Sequence, residues 1–345
     1  MSTRDRIIRF ARKSLDLQQS SAVELVLLEG RGSDRSYYRV LWTPGNSAIL
    51  VHYNPARVEN TFFAPIALFL TENNIPVPQV IRHDPQNCLI LMKDLGNIDL
   101  WTLRNEPWDV RRQLYLKTLA VVHRLHSIPE ASFPSSRVRL AEAFGPDLYR
   151  WERDYFKENF VEGLCALTLE PSLSRRLDTE LGSLAGRLCS TGRCLIHRDL
   201  QSQNVMIFAD EPFLIDFQGM RFGTRFYDLG SILCDPYVGF AESERMELLS
   251  WYYELSSKGH DWTGFQAAFW EGSAQRLMQA LGAYGFLGIK KGLRHYLMHV
   301  PAAIRNLRTA AENTGSLPAL LEVCARCEAS DSIVKPQVDH IRNPG

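Results

Sequence analysis

Two short polar clusters, each adjoining apolar runs, constrain this chain more than any other feature. The first lies in 195–207, Leu-Ile-His-Arg-Asp-Leu-Gln-Ser-Gln-Asn-Val-Met-Ile, and the second in 213–218, Phe-Leu-Ile-Asp-Phe-Gln. The apolar runs are typical of short buried strands, and polar residues that adjoin them lie at strand ends. We therefore expect two short strands that present Asp199, Asn204 and Asp216 to a cleft.

The spacing of these polar residues indicates a chemistry. It fits the pattern H-R-D-L-x-x-x-N followed by D-F-x, which kinases use in their catalytic loop and metal-binding turn. Asp199 is the candidate base, because a carboxylate there can take the proton of an attacking hydroxyl. Asn204 and Asp216 are the candidate metal ligands, because hard oxygen donors suit the Mg²⁺ that is bound to the phosphates of ATP.

Composition excludes several classes of function. The chain has 345 residues and 39.4 kDa, enough for a large core divided between two lobes. Its formal net charge is zero, which gives no electrostatic case for nucleic acid or an anionic membrane, and it lacks the apolar run of about eighteen residues that spans a bilayer. Seven irregularly spaced cysteines favour a reducing compartment, so we expect a cytoplasmic protein. Separately, the sequence gives no sign of an obligate protein partner.

Periodicity predicts an α+β, bilobal, protein-kinase-like fold. The first part of the chain reads as a helix, three strands with a turn-rich segment after the first, a second helix and a strand pair; the predicted helices are 4–15 and 60–73, and the predicted strands are 23–28, 37–41 and 48–53. Helices then dominate, notably 106–126, 147–160 and 172–189. We expect a small N-lobe over residues 1–95, a helical C-lobe over 96–335 and a loosely held tail over 336–345.

The N-lobe contains the predicted nucleotide-binding residues. Gly32, Ser33, Asp34 and Arg35 form a turn whose backbone N–H groups can cradle phosphates, although an ordinary hairpin loop is the alternative. Two further candidates lie at the hinge that follows the sheet, namely Met92 and Asp94.

The third strand lacks the lysine that kinases use to hold the α- and β-phosphates. Arg35 is the best-placed substitute, with Arg39 and His52 behind it, and which residue takes this charge stays open. Glu59 is the acidic residue nearest to the usual partner position of that lysine, and without the lysine it lacks its usual ion pair.

The segment after Asp216 indicates the class of acceptor. Twelve positions separate Asp216 from Asp228, and this span contains no A-P-E sequence. Protein kinases place a long activation loop there as a platform for an extended peptide. The sequence therefore predicts a small-molecule acceptor bound among the C-terminal helices.

Taken together, these segments resemble the aminoglycoside phosphotransferase superfamily. The resemblance rests on Gly-Ser-Asp-Arg-Ser-Tyr-Tyr-Arg-Val at 32–40, Leu-Met-Lys-Asp-Leu-Gly at 91–96, the two polar clusters and Tyr-Asp-Leu at 227–229, and it spans roughly residues 5–310. Within the superfamily the chain is most similar to the anomeric kinases of N-acetylmuramate and N-acetylglucosamine, whose third strand also tends to lack the lysine. The resemblance implies ATP, Mg²⁺ and transfer of the γ-phosphate to the C1 hydroxyl of an amino sugar.

The acceptor pocket is predicted from side chains that suit a sugar, with polar groups for hydroxyls and aromatic faces for the apolar side. The candidates are Glu152, Trp151, Tyr155, Asp235, Tyr237 and Arg276. Helix packing is the alternative role for Trp151 and Tyr155. Because basic residues cluster around 276–294, we favour a neutral or anionic acceptor over a polycationic aminoglycoside. Two other functions stay open: a kinase of another small hydroxyl compound, such as an aminoglycoside or amino alcohol, and a non-catalytic nucleotide-binding module.

Overall fold

The computed structural model describes residues 3–28, 35–256 and 261–330 of the chain. The predicted phosphate-turn residues Gly32, Ser33 and Asp34 lie outside the described residues, as does the predicted tail 336–345. An N-terminal antiparallel sheet followed by a mostly helical remainder confirms the predicted α+β fold. No helix within the described ranges is long and apolar enough to cross a membrane.

The strands and helices follow the predicted order. The strands are β1 Glu24–Leu28, β2 Arg35–Thr43, β3 Asn46–Tyr53, β4 Val80–Asp84, β5 Leu89–Lys93, β6 Cys194–Ile196, β7 Val205–Phe208, β8 Glu211–Leu214 and β9 Arg221–Gly223. The α-helices are α1 Thr3–Ser14, α2 Phe63–Glu72, α3 Trp108–His126, α4 Pro146–Phe156, α5 Pro171–Ser190, α6 Arg225–Leu233, α7 Glu242–Ser256, α8 Trp262–Gly285, α9 Val300–Thr314 and α10 Pro318–Glu328.

Two predicted helices differ from the structure at one end. The helix predicted over 60–73 begins as a 3₁₀ turn, Val58–Phe62, before α2. The helix predicted over 147–160 changes after Phe156 into a π-helical segment, Lys157–Leu164. Apolar periodicity indicates that a segment is helical but does not separate these hydrogen-bonding patterns, since each buries one side of the segment.

The chain divides into two compact units. Unit 1 comprises Met1–Glu142 and Gln203–Arg221, and unit 2 comprises Ala143–Ser202 and Phe222–Gly345. The hairpin β7–β8 belongs to unit 1 because its backbone bonds to earlier segments: the N–H of Leu100 donates to Val205 O (3.0 Å), and that of Leu214 to Pro76 O (2.9 Å). The lobe boundary that we expect at residue 95 stays a prediction, and the compact units divide the chain elsewhere.

Unit 1 is built on a five-stranded antiparallel sheet in the order β1-β2-β3-β5-β4. The predicted apolar face of α1 packs on this sheet through Ile7 and Ala11, which are buried together with Val40 and Leu50. Hydrophobic burial of this kind, at about 25 cal/mol per Å², is what fixes an amphipathic helix on a sheet. Helix α1 therefore covers one face of the sheet, where it packs against β2 and β3.

Unit 2 is a helical assembly around α8, a 24-residue helix that is buried over most of its length. The helix α6 approaches α8 at two glycines. A Cβ atom on Gly230 would lie 2.6 Å from Ser273 Cα, and one on Gly272 would lie 2.6 Å from the backbone carbonyl carbon of Phe226. Real side chains do not fit at such distances, so these two glycines permit a backbone-to-backbone approach that larger residues would block.

Candidate active site

In unit 2, Asp228 on α6 binds the backbone at the start of the polar loop 197–202. Its Oδ2 accepts the backbone N–H of His197 (2.7 Å), and its Oδ1 accepts that of Arg198 (2.8 Å). Arg198 has a positive φ of 77°, a conformation that a non-glycine residue keeps only when its surroundings hold it. The buried Asp228 carboxylate supplies that support, a role that the sequence analysis did not assign.

Asp235 holds the other end of the polar loop. Its Oδ2 accepts the backbone N–H of Ser202 (2.7 Å) and its Oδ1 that of Tyr237 (2.9 Å). Burial raises the pKa of this carboxyl, while the bonds from Ser202 and Tyr237 oppose the rise. Asp235 is completely buried, so the structure places this predicted acceptor residue beneath the loop.

Asp199, the candidate base, lies between two guanidinium groups. Arg198 Nη1 is 3.0 Å from its Oδ2, and Arg276 Nη2 is 2.9 Å from its Oδ1. Burial acts to raise the pKa of Asp199, but the positive charges of Arg198 and Arg276 outweigh it, so the pKa lies below its ordinary value. The carboxylate is therefore ionised at neutral pH, which is the state in which it can take a proton.

A second carboxyl, Glu152 on α4, is buried in unit 2. Its Oε1 accepts the hydroxyl of Tyr227 (2.8 Å), and its Oε2 accepts Nε2 of Gln275 (2.9 Å). Burial raises the pKa of Glu152, against the opposing charges of Arg198 and Arg276. Both oxygens of this carboxyl are thus engaged by neighbouring side chains of unit 2.

The aromatic acceptor candidates lie in two places within unit 2. Trp151 is 53% exposed and stacks on Tyr155, with ring centroids 5.0 Å apart. Tyr237 lies edge-on to His299 at 4.1 Å and to Tyr284 at 6.2 Å. The ring of Trp151 is thus partly accessible, whereas Tyr237 belongs to an aromatic cluster.

The metal-ligand candidates lie at one end of the β7–β8 hairpin in unit 1. Val205 pairs with Leu214, so Asn204 precedes one strand where Asp216 follows the other, and the N–H of Ile215 donates to Asn204 O (3.0 Å). This register brings an amide and a carboxylate to the same end of the hairpin, which fits the oxygen ligands that Mg²⁺ takes beside phosphate oxygens and water. Nε2 of Gln218 also donates to Asp216 Oδ1 (3.0 Å), a contact that the sequence analysis did not anticipate.

Arg35, the predicted substitute for the absent lysine, forms an ion pair with Asp216. It extends from the start of β2 and its side chain is 10% exposed. Burial raises the pKa of the neighbouring Tyr37 to about 12, with Arg35 opposing the rise and Asp216 adding to it. The first residue of β2 thus carries a cation beside the candidate metal ligand.

Arg39 has a different partner. Its guanidinium forms a two-pronged pair with Asp94 at the hinge, Nε to Oδ2 at 2.6 Å and Nη2 to Oδ1 at 3.1 Å. Met92, the other hinge candidate, is buried in β5 opposite Ile49. Arg39 is therefore engaged by Asp94, which leaves Arg35 as the arginine of β2 that lies beside Asp216.

Glu59 pairs with arginines instead of a lysine. Its Oε2 is 3.2 Å from Arg57 Nη2, and its Oε1 is 3.9 Å from Arg221 Nη2. Arg57 and Arg221 are thus two cations beside Glu59 that the sequence analysis did not consider.

Comparison with known proteins places this geometry in a family. The model of the phosphotransferase enzyme family matches residues 24–263. The N-acetylmuramate/N-acetylglucosamine kinase of Pseudomonas aeruginosa is 24% identical over 318 residues, which cover 88% of each chain. The enzyme of the same name from Neisseria meningitidis serogroup B is 22% identical over 294 residues, covering 83% of this chain and 85% of that one.

The fold is also similar to solved structures. The gentamicin complex of the aminoglycoside phosphotransferase APH(2")-IIa superposes with a TM-score of 0.61 at 14% identity, over 93% of this chain and 98% of that one. At this identity the superposition establishes a shared fold, and the acceptor must be argued from the side chains of this chain.

Proposed function

This chain belongs to the phosphotransferase enzyme family, and we propose that it is an ATP- and Mg²⁺-dependent kinase of N-acetylmuramate or N-acetylglucosamine that phosphorylates the C1 hydroxyl. The observation that carries the proposal is the Asp199 carboxylate, held ionised between Arg198 and Arg276. Relatives of that name, similar over more than four-fifths of the chain, support the choice of sugar.

Asp199 acts on the acceptor. Its carboxylate accepts the hydrogen bond of the attacking hydroxyl and takes its proton as that oxygen bonds to the γ-phosphorus of ATP. The bond from the γ-phosphorus to the β–γ bridging oxygen breaks in the same step, and ADP leaves. Asn204 and Asp216 hold Mg²⁺, which neutralises charge on the phosphates when it is bound. Arg35 supplies the cation that other kinases place on the third strand as lysine.

The charges of unit 2 favour a neutral or anionic acceptor over a polycation. Arg276 is a buried cation, the Glu152 carboxyl has a raised pKa, and Asp235 is occupied by backbone N–H groups. A polycationic aminoglycoside requires exposed carboxylates that balance its ammonium groups. These side chains suit a sugar better, including one that bears a carboxylate.

A small acceptor is also consistent with the chain after Asp216. The span to Asp228 consists of a 3₁₀ turn, Phe217–Gly219, the strand β9 and the first turn of α6. These short elements fill the span and replace the long activation loop that serves as a peptide platform in protein kinases. We further propose that the enzyme works in the cytoplasm, which its seven free thiols support.

The test is an acceptor screen with ATP and Mg²⁺, followed by phosphorus NMR of the product. We expect turnover with free N-acetylmuramate or N-acetylglucosamine, phosphate on C1, and no phosphorylation of generic protein substrates. A methyl glycoside lacks the free C1 hydroxyl and should be inert, whereas the matched 6-deoxy sugar should react. The reverse pattern would establish a 6-kinase, and absence of Mg·ATP turnover with every acceptor would favour a non-catalytic nucleotide-binding module.

A further inference from the structure

Arg276 is a buried arginine of α8 whose side chain contacts the candidate base. Its Nη2 donates to Asp199 Oδ1 at 2.9 Å, although 77 residues separate the two in sequence. The Arg276 side chain is 8% exposed and that of Asp199 is 29% exposed. One end of this pair is therefore built into the helical core, and the other end is accessible to a ligand.

The Arg276 guanidinium is itself fixed on its other edges. Its Nε donates to the hydroxyl of Ser231 on α6 (3.1 Å), and its Nη1 donates to Oε1 of Gln279, one turn further along α8. A planar guanidinium held at three nitrogens has one orientation, and it passes that orientation to the carboxylate that it contacts. Arg198 differs from Arg276 because it belongs to the polar loop itself. It contacts the other oxygen of Asp199.

The contact between α6 and α8 explains how Arg276 reaches the loop. Gly272 lies four residues before Arg276, so both are on the same face of α8, and Gly230 immediately precedes Ser231 on α6. A Cβ atom at either glycine would lie 2.6 Å from backbone of the other helix. The close approach at these glycines brings Ser231 within hydrogen-bonding distance of Arg276. It thereby determines where the Arg276 guanidinium lies.

We propose that Arg276 is a positioning residue that orients the Asp199 carboxylate toward the acceptor hydroxyl, and that the glycine contact between α6 and α8 places it there. The inference rests on the proposed function, in which Asp199 is the base. It replaces the direct sugar contact expected of Arg276 with an action through Asp199. The rate of phosphoryl transfer to a hydroxyl depends steeply on the alignment of the base. Loss of Arg276 should therefore slow the chemical step rather than weaken binding.

Steady-state kinetics of Arg276→Met and Arg276→Lys test the proposal. For Arg276→Met we expect kcat to fall about 10²-fold, the loss that a misplaced reacting group produces, with KM for ATP and for the sugar little changed. Arg276→Lys should recover part of this loss, because lysine returns the charge without the planar fork. The matched control is Arg187→Met: Arg187 pairs with Glu271, also on α8, and does not touch Asp199, so kcat should stay near that of the wild type.

Three kinetic outcomes would overturn the inference. A raised KM for the sugar with unchanged kcat would make Arg276 a substrate contact. An equal loss in Arg187→Met, or no recovery in Arg276→Lys, would mean that the arginine acts only on the packing of α8. Gly272→Ala should lower kcat in the same direction as Arg276→Met, and a folded Gly272→Ala enzyme with wild-type kcat would remove the glycine contact from the proposal.

A thermodynamic cycle separates this inference from the proposed function. The unfolding midpoints of Asp199→Asn, Arg276→Met and the double variant are compared with that of the wild type. Asp199→Asn alone leaves the buried Arg276 less compensated, so its midpoint should fall more than the same change does in the Arg276→Met background. Additive shifts would overturn the inference whichever acceptor the enzyme uses, whereas coupled shifts in an enzyme inert toward sugars would reject only the proposed function.

Discussion

Each of the two units contains a candidate functional aspartate that pairs with an arginine, and the two arginines differ in the groups that hold them. Arg35 lies at the first residue of β2 and pairs with Asp216, which itself has a positive φ of 63° after β8. Arg276 lies in the middle of α8 and is fixed by Ser231 and Gln279 before it meets Asp199. Asp216 thus depends on a cation at a strand end, which phosphate can engage, and Asp199 on a cation fixed in a helical core.

The largest effect is expected from the removal of the Asp216 side chain. Asp216→Ala should abolish turnover and weaken Mg·ATP binding, because the carboxylate is a proposed metal ligand and the partner of Arg35. Calorimetric titration with Mg·ATP and with metal-free ATP measures the effect. The variant should lose affinity for Mg·ATP chiefly, and unchanged Mg·ATP affinity would remove Asp216 from the metal site.

Removing the charge of Asp199 should give the next largest loss. Asp199→Asn is expected to lower kcat by about 10²–10⁴-fold, the usual contribution of a positioned general base. ATP affinity should change little, because the proposed role of the carboxylate is toward the acceptor hydroxyl. Single-turnover rates measure the chemical step, and a thermal unfolding curve measures the loss of stability from an uncompensated Arg276. Near-wild-type turnover of the variant would contradict the kinase assignment.

The two arginines of β2 can be compared with each other by alanine substitution. Arg35→Ala should raise KM for ATP and lower kcat, a loss of about 1.5–3 kcal/mol, the range for a hydrogen bond to a charged group. Arg39→Ala is the matched control, since Arg39 belongs to the same strand and pairs with Asp94 instead. Its effect on kcat/KM should be smaller, and equal effects from both variants would leave backbone groups and Mg²⁺ as the phosphate ligands.

The smallest effect is expected from pH. Asp199 faces His197 and Arg198 from the loop and Arg276 from α8, and these charges lower its pKa below the ordinary 3.8 despite burial. A lowered carboxyl pKa means that the charged form, and the stability that it contributes, is present above about pH 4 and is lost only as pH falls through the folded-state pKa. We therefore expect kcat to lack an acid limb due to Asp199 between about pH 5 and 8, and an acid limb there that moves in Asp199→Glu would contradict the lowered pKa.

Much of the local structure could be predicted from the sequence. The strands beside the two polar clusters form β6, β7 and β8, and the expected helical order of the C-terminal part is present. These elements follow from apolar periodicity and from motif spacing, which act over a few residues. Arg35 lies beside Asp216, which agrees with its choice from the sequence as the best-placed cation, and its role in place of the absent lysine stays a prediction.

The support of Asp199 could not be predicted in the same way. Asp228 and Asp235 bond to backbone N–H groups about thirty positions earlier, and Arg276 reaches Asp199 across 77 positions. Such contacts depend on how helices pack in three dimensions, and residue type at one position carries little signal of it. The signal available in hindsight was Gly230 and Gly272, two glycines inside helices, where glycine is unfavourable unless another segment approaches closely.

The glycine contact between α6 and α8 also governs the time scale on which this part of unit 2 can rearrange. Since backbone meets backbone there, α6 cannot slide along α8 by exchanging side-chain rotamers, and movement requires the helices to separate and expose the buried surface of α8. Amide protons near Arg276 should consequently exchange with deuterated solvent only through large-scale unfolding. The orientation of the Asp199 carboxylate is thus a property of the resting protein, established before any acceptor binds.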